Sequence, residues 1–287
     1  MVKKEHYILT RFNLHLWTKD KKRNETRTDE WLKQRFELFE KICLPSIMNQ
    51  TNQTFKWIVL FDSETPEFYK KKIQHYQNIC KLFCPCFVEA CKSRYFVSVF
   101  REEIQKRIEK NTNFLITTYL DNDDALHKNY IEEIQQMEVK RPTFVSYVYG
   151  IQYYTELNIA TRVPYTNNHF ISLAEPLNGN QTNFKTVYGY GSHVDINKHK
   201  RIETVYIKNP QQDRWIEVIH ETNMDNDVKM TFDTKLIKDV DQLKKEYGID
   251  IQLSKCSKNI FYSTFLYRAF KEVFRHIKLK ITGRKWD

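Results

Sequence analysis

Three carboxylates fall within four residues at Asp121-Asn122-Asp123-Asp124, directly after the apolar run Phe114–Leu120. Carboxylates this crowded repel one another unless a cation or strong donors neutralise them. Asp121 and Asp123, at i and i+2, can face the same side of an extended turn. Hard divalent ions such as Mg2+ or Mn2+ favour all-oxygen ligation of this kind, and a diphosphate would complete the shell. A plainer role coexists with this one. Asp123 or Asp124 can cap a helix beginning near His127, and capping uses only one carboxylate.

The rest of the composition narrows how an anionic ligand could be held. Glycine occurs six times in 287 residues, where average usage would give about 20. No GxGxxG, GxxxxGK[ST] or GxSxG is present, which excludes Rossmann dinucleotide enzymes, P-loop NTPases and α/β-hydrolases. Any phosphate site must use side chains or a metal. The six cysteines include the cluster Cys80, Cys84, Cys86 and Cys91, whose spacing lacks paired CxxC knuckles, so reduced thiols packed around a short strand are expected.

The positioning elements follow from hydrophobic pattern. Residues 6–13 and, more briefly, 86–90 read as strands, 55–62 as a nearly all-apolar strand covered on both faces, and 114–120 as another buried strand. Between them, helical spacing predicts helices over about 29–48 with Asp29 as N-cap, 66–80, 97–110 and 127–140. Four strand–helix alternations are the pattern of a Rossmann-type α/β fold: a mostly parallel sheet with helices on both faces. After Pro142 the texture changes. Residues 144–160 read as a hairpin around Gly150, 161–200 as a binding-loop region, and Asp213–Glu221 as a helix. The expected organisation is one domain in two halves, 1–142 and 143–234, followed by 235–287 as a helical basic appendage. In open α/β sheets ligands bind beyond the carboxyl ends of the strands, where Thr10, Asp62 and Asp121 all lie.

LDNDD after FLITTY resembles the DxD motif of GT-A glycosyltransferases. The ordered segments HYILTRFNL, RFELFEKICLPSIMNQTNQTFKWIVLFDSETP, TTYLDNDDAL and RWIEVIHETN are similar to the rhamnosyltransferase family of that type, over about residues 6–223. The resemblance implies a metal-dependent transfer of a sugar, rhamnose among the candidates, from a nucleoside diphosphate sugar to a glycan or lipid-linked glycan in surface polysaccharide synthesis, with 1–142 as the nucleotide-sugar-binding half and 143–234 as the acceptor-binding half of one GT-A domain. It places Thr10 and Arg11 at the nucleotide, Asp62 at its base, and Asp121 and Asp123 at the ribose and the Mn2+ or Mg2+. His220 would complete the metal shell and Asn223 support it. Asp213, with Arg214 beside it, is the expected catalytic base for an inverting reaction, with Asp195 as its rival. Tyr165, Tyr188 and Tyr190 could stack on an acceptor sugar. Structural roles compete: Arg11 could simply pair with Asp62, and His220 could be a semi-buried histidine.

The net charge is +10. Half of it sits in the last 20 residues, where seven basic side chains face Glu272 and Asp287. Leu266, Phe270, Val273, Ile277 and Ile281 mark an apolar stripe beside the basic one, so 260–287 could lie on an anionic membrane surface or dock on the catalytic domain. The first 25 residues carry no signal-peptide pattern, and the longest apolar runs of about eight residues fall short of a membrane span of about 20. A cytoplasmic location is expected. A metal-dependent phosphohydrolase and a nucleic-acid binder are the competing classes. The second is disfavoured because the basic excess is local and no nucleic-acid motif is present, so no nucleic-acid partner is expected.

Overall fold

Residues 4–11, 56–62 and 114–119 carry the apolar runs Tyr7–Leu9, Trp57–Phe61 and Phe114–Ile116, which extended chain buries on both faces of a sheet. They form β1 (Lys4–Arg11), β2 (Lys56–Asp62) and β4 (Phe114–Tyr119), with β3 (Phe83–Val88) as a half-exposed edge. The computed structural model describes residues 2–20, 23–191, 202–220 and 234–264, with His193, Ile196, His199, Leu266, Tyr267 and Phe270 besides. Asp195, Asn223 and segment 271–287 lie outside the described residues.

The first helix is capped by Thr28, whose hydroxyl accepts from the Trp31 amide at 3.3 Å, one residue before the expected cap. It runs as α1 (Asp29–Leu38), passes through a π-helical turn at Phe39–Cys43, and continues as α2 (Leu44–Met48). Then follow α3 (Glu67–Ile79), α4 (Phe96–Gln105) and α5 (Tyr130–Gln136), the last starting three residues after His127. The later strands are β5 (Ala125–Leu126), β6 (Thr143–Tyr147), β7 (Tyr149–Tyr154), β8 (Ile159–Pro164), β9 (Ile171–Pro176), β10 (Glu203–Ile207), β11 (Trp215–Ile219) and β12 (Lys235–Ile237), before α6 (Val240–Tyr247).

Seven strands in the order β10-β6-β9-β4-β1-β2-β3 make the main sheet. It is parallel except for β9, which runs antiparallel between β4 and β6. Five more, β12-β8-β7-β11-β5, make a second sheet. Alternate residues of one strand feed opposite layers. Ile8, Trp57, Val59 and Phe61 pack on α1, α3 and α5, while Tyr7, Leu9, Ile58 and Leu60 pack on α4. Helices therefore cover both faces, as expected.

Three expectations fail here. The hairpin is β7–β8, not one centred on Gly150, because β6 leaves for the main sheet. Gly150 is instead where the backbone of β7 lies on an indole: a Cβ there would come within 2.0 Å of the Trp215 ring. The loop region 161–200 contains β9 and much of β8. The expected helix over 213–221 is not formed in its described part, 213–220; Trp215, Ile216, Glu217 and Val218 are all buried in β11, which pairs parallel with β7 and antiparallel with β5. Strands β6, β9 and β10 complete the sheet that β1 begins, so residues on both sides of position 142 build one sheet.

His6 lies in the core of that sheet, 2% exposed, with Nε2 at 2.7 Å from the Thr118 hydroxyl. Burial lowers its pKa to about 3. The unfolded chain takes up this proton near pH 6.5. Between the two values the unfolded state binds more protons, so stability is full above pH 6.5 and falls as pH drops. By pH 5 the loss from His6 is expected to be about 2 kcal/mol. Urea midpoints of wild type and His6→Gln at pH 7.5 and 5 should show the smaller fall in the variant.

Candidate active site

Strands β1 and β4 are parallel neighbours, so their carboxyl ends open on one edge, where open sheets bind ligands. Arg11 ends β1 and Asp121 follows β4. A cavity of about 530 Å3 opens there, lined among others by Arg11, Trp17, Trp31, Tyr119, Asp121 and Tyr188. The Arg11 guanidinium sits over the rings of Trp17, Phe96, Tyr119 and Tyr188 at 5.1–5.4 Å. It donates to the Tyr119 hydroxyl at 2.5 Å and lies 3.6 Å from Asp121. Tyr119 in turn donates to Asp121 at 3.0 Å. Aromatic walls and a fixed cation beside a carboxylate are what a flat ring with an attached anion would meet.

The other two carboxylates are held inside the protein. Asp123, 3% exposed, accepts from Arg35 at 2.5 Å and from His220 at 2.7 Å. Burial works against its charge, but Arg35 and His220 outweigh burial and hold its pKa well below the ordinary carboxylate range. The pKa of His220 is pushed down by burial, which outweighs the upward pull of Asp123, and Arg35 adds to the fall. Asp124 is fully buried, accepting from the Val218 amide at 2.8 Å and from His169 at 2.7 Å. Burial alone would lower His169, but the Asp124 carboxylate overrides it and pushes the pKa up to about 9.

One group of side chains here could hold a divalent cation, provided the His169 ring first gives up the proton it donates to Asp124. Single donor atoms of Asp121, Asp124 and His169 lie within 4.8 Å of one another. The expected partners, Asp123 and His220, are instead engaged with each other and with Arg35. Among the described residues no cysteine joins a group able to hold a metal, and all six thiols are free.

The remaining predicted residues separate. Thr10 is fully buried and accepts from the Trp57 indole at 2.9 Å, so it faces the core and not the cavity. Asp62, 4% exposed, takes the His15 ring at 2.5 Å and the Glu64 amide at 3.0 Å. It does not line the cavity and does not pair with Arg11. Asp213 is also elsewhere: its carboxylate is bonded to Arg162 at 2.5 Å in a second cavity, and Arg214 pairs with Glu133 at 2.7 Å. Of the tyrosines, Tyr188 lines the cleft, while Tyr190 packs edge-on against Phe144. Arg35, His169 and Tyr119 are the site residues that sequence reasoning missed: Arg35 opens the quoted segment RFELFEK and Tyr119 ends FLITTY, but neither was singled out, and His169 lies in no quoted motif.

Residues 7–231 match the family described as "Putative rhamnosyl transferase". The chain belongs to this family. Its members are classed as glycosyltransferases, and the mostly parallel sheet with helices on both faces agrees with the fold that the motifs imply. Among solved structures the chain is similar to TarS 1-349 of S. aureus, at 12% identity over 75% of this chain and 60% of that one, with a TM-score of 0.38. TarS is also known in complex with UDP. GlyE of Streptococcus pneumoniae TIGR4 matches at 11% identity over 71% of this chain and 45% of its own, with a TM-score of 0.35. The chain thus spans about three-fifths or less of these relatives. No curated protein matches it. Among the described residues no helix is long and apolar enough to cross a membrane.

Proposed function

We propose that this member of the family moves a sugar, rhamnose being the first to test, from a nucleoside diphosphate onto a hydroxyl of a glycan. The observation that supports this reading best is the cleft in which Arg11, caged by four aromatic rings, faces the exposed edge of Asp121. Trp17, Trp31 and Tyr188 supply ring faces for a base or sugar. Arg11 and Arg27, which also lines the cleft, supply charge for a diphosphate. Mn2+ or Mg2+ would be held by Asp121 with Asp124 and His169, and when bound would neutralise charge on the departing diphosphate. Asp121 orients the ligand, Arg35 fixes the Asp-Asn-Asp-Asp turn through Asp123, and the aromatic walls exclude water. The base expected at Asp213 is not carried into this mechanism, since that residue lines another cavity.

Titration calorimetry with UDP, dTDP, GDP and CDP, each with and without Mn2+, tests the reading. Micromolar binding of one nucleotide only in the presence of Mn2+ is expected. Failure of all four to bind overturns it.

The reading includes a peripheral membrane contact through residues 260–287. Tyr262, Leu266, Tyr267 and Phe270 are 52–68% exposed, and each basic residue near an anionic surface contributes about 1 kcal/mol. Deletion of 260–287 is expected to abolish sedimentation with anionic phospholipid vesicles. Undiminished sedimentation would exclude the contact.

A further inference from the structure

Four aromatic side chains are exposed among the described residues ahead of the C-terminal segment: Trp17 at 48%, Phe68 at 66%, Phe87 at 45% and Tyr95 at 52%. Scattered exposed rings are ordinary, so the information lies in where these four fall. Trp17 follows β1 by six residues and Phe68 follows β2 by six, while Phe87 is the penultimate residue of β3 and Tyr95 follows that strand by seven. Strands β1, β2 and β3 are parallel neighbours, so all four rings belong to the edge of the sheet on which the Asp121 cleft opens. The connections are tied together there. The His15 amide donates to the Ser93 hydroxyl at 3.1 Å, and the His15 ring is bonded to Asp62 at 2.5 Å.

Each ring also carries a cation. Arg11 lies 5.4 Å from the Trp17 ring, Lys72 5.9 Å from Phe68, Lys70 5.9 Å from Phe87 and Arg94 4.8 Å from Tyr95. The segments that leave the three strands, 12–28, 63–72 and 89–95, hold ten lysines and arginines against five acidic residues. A bilayer surface suits this pairing, because rings settle at the level of the headgroups and each Lys or Arg near anionic lipid adds attraction. A rigid protein partner is disfavoured, since lysine is depleted in such interfaces and here lysines cover two of the four rings. A nucleic acid would call for one basic groove lined by stacking faces, whereas these rings stand on separate connections. We infer that the edge around the cleft is a membrane-facing surface, which seats Phe68, Phe87 and Tyr95 among anionic phospholipid headgroups and turns the cleft toward the bilayer. Weak membrane signals anchor stably only in combination. This surface adds to the contact proposed for 260–287, on separate residues, and does not require the transfer reaction to be as proposed.

Sedimentation of the full chain with phosphatidylcholine vesicles, with and without phosphatidylglycerol, tests it, together with hydrogen exchange of the bound protein. Phe68→Ser/Tyr95→Ser should lower partitioning onto the anionic vesicles by about tenfold, since each ring withdraws apolar area from water on insertion. Lys70→Gln/Arg94→Gln should lower it by about tenfold as well. Leu157→Ser, exposed on the turn between β7 and β8, should leave it unchanged. Vesicle binding should slow amide exchange in 63–72 and 89–95. The inference is overturned if anionic vesicles do not bind, if both double variants partition as wild type does, or if exchange in those segments is unaltered. Loss of binding to a uridine oligonucleotide in these variants, with vesicle binding intact, overturns it in favour of a nucleic acid. Loss of vesicle binding in the edge variants but not on deletion of 260–287 supports it and removes the tail's contact; the reverse pattern overturns it and leaves the tail's contact standing.

Discussion

Asp121→Asn is expected to lower sugar transfer by about 10²–10³-fold, the scale of removing one electrostatic contact to a developing charge. The substitution keeps shape and the Tyr119 hydrogen bond but removes the only carboxylate of the three that is substantially exposed to the cleft, at 31% of its side chain. Because Asp121 is not packed in the core, the melting temperature should hardly move. Comparison with its neighbours then separates two donor sets. If the cation is held by Asp121, Asp124 and His169, His169→Gln lowers Mn2+-dependent nucleotide binding as Asp121→Asn does, while His220→Gln has the smaller effect. The reverse order would return the cation to Asp123 and His220. Full activity of Asp121→Asn would remove the cleft from the reaction altogether.

Arg35→Met is expected to destabilise the fold by about 3–5 kcal/mol, the cost of leaving a buried charge without its partner. Arg35 is 5% exposed, bonded to Asp123 and lying 5.1 Å over the Trp31 ring. Without it, Asp123 and Asp124 stand side by side in the interior with only His220 and His169 against them. The double variant Arg35→Met/Asp123→Asn should recover much of the stability, since it removes the orphaned charge as well, and a double-mutant cycle in urea measures that coupling. Additive losses would show that Arg35 acts through packing alone.

The first half of the fold could be read from the chain because β2 is a near-continuous apolar run, β1 and β4 carry shorter ones at Tyr7–Leu9 and Phe114–Ile116, and helical periodicity separates them. The second half could not. WIEVI in β11 is short and buried on both faces, and a short apolar run carries no period that distinguishes strand from helix. Strand β9 takes its place only through pairing with β4 and β6, which no local pattern announces. The site divides in a similar way. Strand ends point to the right edge of the sheet, but side chains alternate, so Arg11 reaches the cleft while Thr10, one residue earlier, reaches Trp57 in the core. Asp121 was legible from its cluster. Arg35, 88 residues upstream of Asp123, and His169, 45 residues downstream of Asp124, were not, because their partners are set by tertiary packing alone.

The partners of the aspartate turn also set an order in time. Arg35 precedes the turn in the chain, but His169, Val218 and His220 are added 45, 94 and 97 residues after the carboxylates they bind. At synthesis rates of about 5–20 residues per second, Asp124 waits several seconds for the amide of Val218. Until then the turn has no second sheet to enter, since β5 pairs only with β11, and its negative charges belong in water. The edge that carries the aspartate turn thus cannot close before β11 has been made, and a nascent chain stalled before residue 215 would already hold every strand of the main sheet, which is complete with β10 at Ile207, yet lack the partners that draw the acidic turn inward.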